Sequence, residues 1–185
     1  MALMDWLPWV LIAAIVLLVI WFIVVRNRII RSENQVDNAW SQIDVQLQRR
    51  GELIPNLVET VKGYAKHERE TLDAVIKARG NMLSATTREG KMQQEGILEQ
   101  ALGKLFAIAE AYPDLKANTN FLSLQDELSH TENKVSFARQ AYNDAVTSFN
   151  NLIETFPGSM FRGGRKEKQQ LSVPEHTKVL PKVSF

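Results

Sequence analysis

The spacing of apolar residues along this chain changes character near residue 25. Residues 6–25 read "WLPWVLIAAIVLLVIWFIVV", without a single charged side chain. At 1.5 Å rise per residue, about twenty helical residues cover roughly 30 Å, the thickness of a bilayer's hydrocarbon core. Trp6, Trp9 and Trp21 stand toward the ends of the run, where amphipathic rings favour the headgroup zone. Pro8 falls in the first turn, where a missing N–H costs little. A cleaved signal would show a basic start, a shorter apolar run and a small-residue cleavage site. Here the chain starts "MALMD" and "VVRNRIIR" follows the run. The pattern predicts a retained transmembrane anchor over residues 1–25.

Beyond it, the apolar positions recur with helical spacing. One face runs Val36, Trp40, Ile43, Leu47 and resumes after a proline as Leu57, Val61, Tyr64, Leu72, Val75. A third segment carries Ile97, Leu98, Ala101, Leu102, Leu105, Ile108 and Tyr112. A fourth shows Phe121, Leu124, Leu128, Thr131, Val135, Ala138, Tyr142, Ala145, Phe149 and Leu152. Its steps alternate three and four without a slip, the seam of helices packed at shallow angles. "FPG" at 156–158 ends it, and Thr119 or Asn120 is suited to cap its start. Nothing in this region alternates with period two between turn signals, so no strand is predicted. The fold class is all-α: a transmembrane helix, then an antiparallel up-and-down bundle of about four helices over residues 26–157.

The connections follow from composition. Residues 85–96, "ATTREGKMQQEG", hold little apolar content and two glycines, which predicts an exposed loop with a ragged helix start. Pro113 is expected to stop the third helix, because its ring clashes with the preceding turn. Pro55 leaves two geometries. Either residues 51–54 form a tight corner with Pro55 in the first turn of a new helix, or one long helix bends there. The corner is preferred, since it yields four helices of comparable length.

Charge adds orientation. Arg26, Arg28 and Arg31 follow the anchor directly, whereas the segment before it holds no Lys or Arg and one Asp5. The positive-inside rule then places the bundle in the cytoplasm and the N-terminus outside. The whole chain is nearly neutral, 22 basic against 21 acidic residues, and gives no argument for nucleic acid. It has no cysteine, which excludes disulfides, thiolate nucleophiles and zinc–thiolate sites.

Candidate chemistry is sparse. His67-Glu68 begins like a zincin motif, but the position four residues after His67 is Thr71, so a second ligand is missing from the face. His130 and His176 lack metal-ligand spacing. Acidic residues in "HERETLD" and "QDELSHTEN" read as solvated helix faces. No phosphate loop, nucleophile elbow or dinucleotide fingerprint occurs. The expectation is no catalytic residue, no metal and no cofactor.

Two long blocks, "NQVDNAWSQIDVQLQRRGELIPNLVETVKGYAKHERETLDAVIKAR" and "AYPDLKANTNFLSLQDELSHTENKVSFARQAYNDAVTSFNNLIETFPG", closely resemble the LemA family of bacterial membrane proteins. The layout of anchor, helical domain and short tail is similar too. The resemblance implies an antiparallel helical bundle without a known catalytic centre. Relatives take part in envelope stress, in association with membrane proteases and in building magnetosome membranes. Within the matched blocks, Trp40, Arg49, Arg50, Pro55, Asn56, Tyr64, Asp114, Asn118 and Asn120 are side chains that helix propensity does not require. They form the candidate partner surface, against the plainer reading of Trp40 and Tyr64 as core and of Asn118 and Asn120 as caps.

The tail, residues 158–185, holds "FRGGRKEKQQ", and its glycines, charge and prolines predict a flexible basic segment able to touch anionic headgroups. Together these features predict a non-enzymatic, single-pass scaffold or adaptor whose partners are the lipid bilayer, further copies of itself and a membrane protein such as a protease. Regulation of a membrane-bound protease is the alternative function.

Overall fold

In the computed structural model, residues 6–172 are described. They form six helices: α1 (Leu7–Tyr64), α2 (Arg69–Ser84), α3 (Arg88–Ala109), α4 (Pro113–Lys116), α5 (Thr119–Glu154) and α6 (Gly158–Phe161). No strand occurs among the described residues, so the chain is all-α, with one long apolar N-terminal helix and a helical bundle.

The corner at Pro55 does not form. α1 continues through it for 58 residues. Pro55 cannot donate to the carbonyl of Gly51, but that carbonyl accepts a bond from Arg79 Nε of α2 at 2.6 Å. The orphaned acceptor is satisfied from the neighbouring helix, so the chain gains nothing by turning. Ile54, Leu57, Val58 and Val61 are all buried, and a corner at 51–54 would have taken Ile54 off that face. Gly51 also admits α2: a Cβ there would lie 3.2 Å from Leu83 Cδ2. The turn comes after Tyr64 instead, where the amide of Glu68 bonds the carbonyl of Ala65 at 3.1 Å.

The expected loop over 85–96 is also corrected. Thr87 caps α3, its hydroxyl accepting from the Gly90 amide at 3.0 Å, and only residues 85–87 connect α2 to α3. The polar residues of this stretch read as solvated because their partners are remote in sequence. Lys91 pairs with Asp44, and Glu95 pairs inside the core with Arg50. The third helix stops at Ala109, ahead of Pro113, and Pro113 opens α4 at a position where no donor is needed.

The chain divides into two compact units, one formed by residues 6–39 and 142–170, the other by 40–141 with 171–172. In the second unit, residue pairings fix the directions of α1, α3 and α5, and α2 returns between α1 and α3. Asp44–Lys91 and Arg50–Glu95 run in the same sense along α1 and α3. Tyr64–Asn118 and Arg50–Glu132 run in opposite senses along α1 and α5. Glu95–Arg139 and the Phe106–Phe121 ring pair do the same for α3 and α5. This is an up-down-up-down bundle. The predicted seam of α5 lies inward: Phe121, Leu128, Thr131, Val135, Tyr142, Ala145 and Phe149 are buried, and Leu124, Ala138 and Leu152 half-buried.

In the first unit, Ile29 and Val36 of α1 are buried, as are Val146, Phe149 and Ile153 of α5, whereas residues 8–24 stay exposed. The tail is ordered further than expected. α6 and residues 162–170 belong to this unit. Asn150 and Lys168 bond reciprocally, each at 2.9 Å, and Arg165 meets Glu33 at 2.7 Å. The glycines and charges that suggested flexibility serve this path: Gly163 and Gly164 take φ of +56° and +80°, values that glycine adopts without steric cost. The "VPEHTKVLPKVSF" segment lies outside the described residues.

Candidate partner surface

Of the residues singled out from sequence, the structure brings two pairs together. Tyr64, at the end of α1, accepts a hydrogen bond from Asn118 Nδ2 at 3.0 Å. Asn118 in turn caps α5, its Oδ1 accepting from the Phe121 amide at 3.0 Å. The cap is therefore Asn118, one residue before Thr119, and it ties the start of α5 to the end of α1. Asn56 and Asn120 share an open polar cleft of about 470 Å³ with Glu59, Thr60, Ser123 and Leu124.

The others disperse. Arg49, Pro55 and Asp114 are exposed at separate places. Trp40 is half-buried, with the Arg88 guanidinium carbon 5.6 Å from its ring centroid, a cation–π contact.

Arg50 is a correction: it belongs to the core. Its side chain is 2% exposed and lies 2.5 Å from Glu95, itself 2% exposed. Arg139 approaches the same carboxylate at 3.8 Å, and Glu132 approaches Arg50 at 3.6 Å. α1, α3 and α5 each supply a member of this cluster. Burial pushes the Glu95 carboxyl above its ordinary value. Arg50 and Arg139 oppose that shift, and Glu99 and Glu132 reinforce it. Desolvation outweighs ion pairing here, as it does for many buried carboxylates. Such a cluster fixes the register of three helices, with Arg50 and Glu95 in the interior and Glu132 at its exposed edge.

Sequence reasoning missed a groove of about 600 Å³ between α1 and α5, lined by Val45, Gln46, Lys134, Phe137, Ala138 and Ala141 among others. Phe137 is 73% exposed and Val45 62%. Phe137 stands out of phase with the seam positions Val135 and Ala138, and that phase error was the available signal.

Arg26, Arg28 and Arg31 are exposed on α1. Arg28 borders a cleft of about 350 Å³ with Val25, Asn151, Leu152, Phe156 and Gly158. No group of three His, Cys, Asp or Glu among the described residues is placed to hold a metal.

Comparison with known proteins fits this picture. The chain is 29% identical over 132 residues to Protein LemA of Metamycoplasma hominis, covering 71% of this chain and 60% of that protein. Magnetosome proteins MamQ 1 and MamQ 2 of Paramagnetospirillum magneticum are each 24% identical over 143 residues, covering 63% of this chain and 53% of theirs. The chain thus spans little more than half the length of these relatives. The LemA family pattern matches residues 39–185, most of the helical domain and the tail. On that match, this chain belongs to the LemA family.

Proposed function

We propose that this chain is a single-pass protein of the bacterial inner membrane whose helical bundle works through its surfaces, as a scaffold or adaptor that associates with further copies of itself or with other membrane proteins. The observation that carries the reading is the state of residues 8–24. They are apolar and exposed all round the helix. A soluble core helix would bury such a run, and only lipid or a partner satisfies an apolar surface of this size. The relatives named as magnetosome proteins support a role at a membrane.

Anchoring confines encounters to two dimensions and so raises the effective concentration of any partner in the same bilayer. Arg26, Arg28 and Arg31 favour a cytoplasmic bundle. The absence of cysteine makes the topology directly measurable. A single cysteine at Lys104, exposed on α3, is expected to resist a membrane-impermeant maleimide in intact cells and to react after permeabilisation. Labelling in intact cells would reverse the orientation. Crosslinking in intact cells should then recover dimers of this chain or a membrane partner. A membrane protease among those partners would narrow the adaptor role to protease regulation, and recovery of monomer alone would refute the scaffold.

A further inference from the structure

Close to the end of the anchor, the chain returns to it. After α5, the sequence "FPGSMF" turns back through α6, and the Phe161 ring packs edge-on against both Trp21 and Phe22, at centroid distances of 5.6 and 5.1 Å. Trp21 and Phe22 lie five and four residues before Arg26, so at helical rise they sit roughly 6–8 Å inside the span's charged end. Phe161 is therefore held level with the last turns of the apolar run, just inside its charged end. Beside it, Phe156 and Met160 are 73% and 68% exposed, and both are large apolar side chains with no protein surface over them.

Gly158 permits the turn. A Cβ there would lie 1.8 Å from the Leu152 carbonyl oxygen, so only glycine lets α6 fold against the end of α5.

The charges around this apolar tip lean positive: residues 154–170 hold Arg162, Arg165, Lys166 and Lys168 against Glu154 and Glu167. Glu33 and Asp37 are neutralised within the unit by Arg165 and Lys168. Arg28, Arg162 and Lys166 have no carboxylate within ion-pair distance among the described residues. Arg28 also walls the cleft formed with Val25, Leu152 and Phe156, which joins a cationic side to an apolar floor.

We propose that residues 156–161 form a second membrane-contacting element, a wedge that dips into the same leaflet as the Trp21 end of the anchor. Phe156 and Met160 enter the acyl region, and Arg28 and Arg162 hold the phosphates of anionic phospholipid headgroups. The partner is the lipid surface itself, chosen by the wedge's continuity with the anchor and by the unmatched positive charge. The inference rests on the anchor reading above.

Depth-resolved quenching tests it on the full chain, whose native sequence contributes no cysteine. Single cysteines replacing Met160, Phe156, Ile15 and Lys104 are labelled with an environment-sensitive fluorophore in phosphatidylcholine–phosphatidylglycerol vesicles. The labels at 160 and 156 are expected to be quenched by nitroxide on shallow acyl carbons and shielded from aqueous iodide. The label at 15 should respond to deep nitroxide, and the label at 104 to iodide alone. If 160 and 156 respond like 104 while 15 reports the bilayer, the wedge is wrong and the anchor stands. If 15 also responds to iodide, the anchor reading fails first.

Headgroup recognition is read separately, with the label at 160. Arg28→Gln and Arg162→Gln are each expected to lower the inserted-to-withdrawn ratio about fivefold in anionic vesicles, the effect of one basic residue at such a surface. In pure phosphatidylcholine they should have no effect. Equal quenching of parent and variants in both compositions would overturn the headgroup contact.

Discussion

Single side chains in this protein act by joining helices. Asn118 both caps α5 and bonds Tyr64. Asn118→Ala should therefore cost about 1–2 kcal/mol, a cap plus one half-exposed hydrogen bond, in chemical denaturation. Tyr64→Phe, which removes the acceptor and leaves the cap, should cost clearly less. Glu95 makes a larger difference. Its removal in Glu95→Ala would leave Arg50 and Arg139 buried without their shared counter-charge, at an expected cost of about 3–5 kcal/mol. Its titration has a definite sign. Because the folded carboxyl is raised above 4.5, the native state holds its proton to higher pH than the unfolded chain does. The stability that Glu95 contributes is present below pH 4.5 and is lost as pH rises through the raised value. The stability of the parent relative to Glu95→Gln should thus fall across that window and level off above it. Equal pH profiles for the two proteins would contradict this. Sequence alone read Glu95 as part of a solvated loop, because a carboxylate among glutamines carries no mark of the arginines it will meet.

At the scale of elements, periodicity guided well except at Tyr64 and Ile97, which are exposed, and punctuation held at Pro113 and "FPG" but not at Pro55. The three-four seam of α5 from Phe121 to Leu152 faces inward as its spacing predicted, since one face of a long helix must be covered. The effect of Pro55 was misjudged because the fate of one carbonyl depends on another helix. Gly51 keeps a donor in Arg79, and the helix goes on. A double-mutant cycle tests that account. Arg79→Ala should cost about 1–3 kcal/mol in the parent, the penalty for an unmet buried acceptor. In a Pro55→Ala background the restored amide can serve Gly51, and the cost should shrink by about half or more. An unchanged cost would show that Arg79 acts by packing alone. Residues 88–96 show the same dependence: their low apolar content suggested a loop, and pairing with α1 makes them helix.

For the whole molecule, the contrast between an exposed apolar run and a packed polar-faced bundle is what gives the protein its character. Deletion of residues 1–25 should move the chain from the membrane to the aqueous fraction after carbonate washing. The thermal transition of residues 40–141, followed by circular dichroism, should stay within a few degrees, since these residues form a unit of their own. Loss of helical signal on that deletion would mean that the bundle needs the bilayer to fold. By itself the sequence determined the long apolar N-terminal helix, the all-α class and the inward face of α5, because those follow from hydrophobic length and period, which are local properties of a chain in water or lipid. The tertiary structure alone decided that α1 passes through Pro55, that Arg50 and Glu95 are interior, and that the "FPGSMF" turn returns to Trp21 and Phe22. Each of these is a pairing between residues far apart in sequence, and a buried ion pair, a borrowed carbonyl partner or a ring contact has no energy until both halves are brought together.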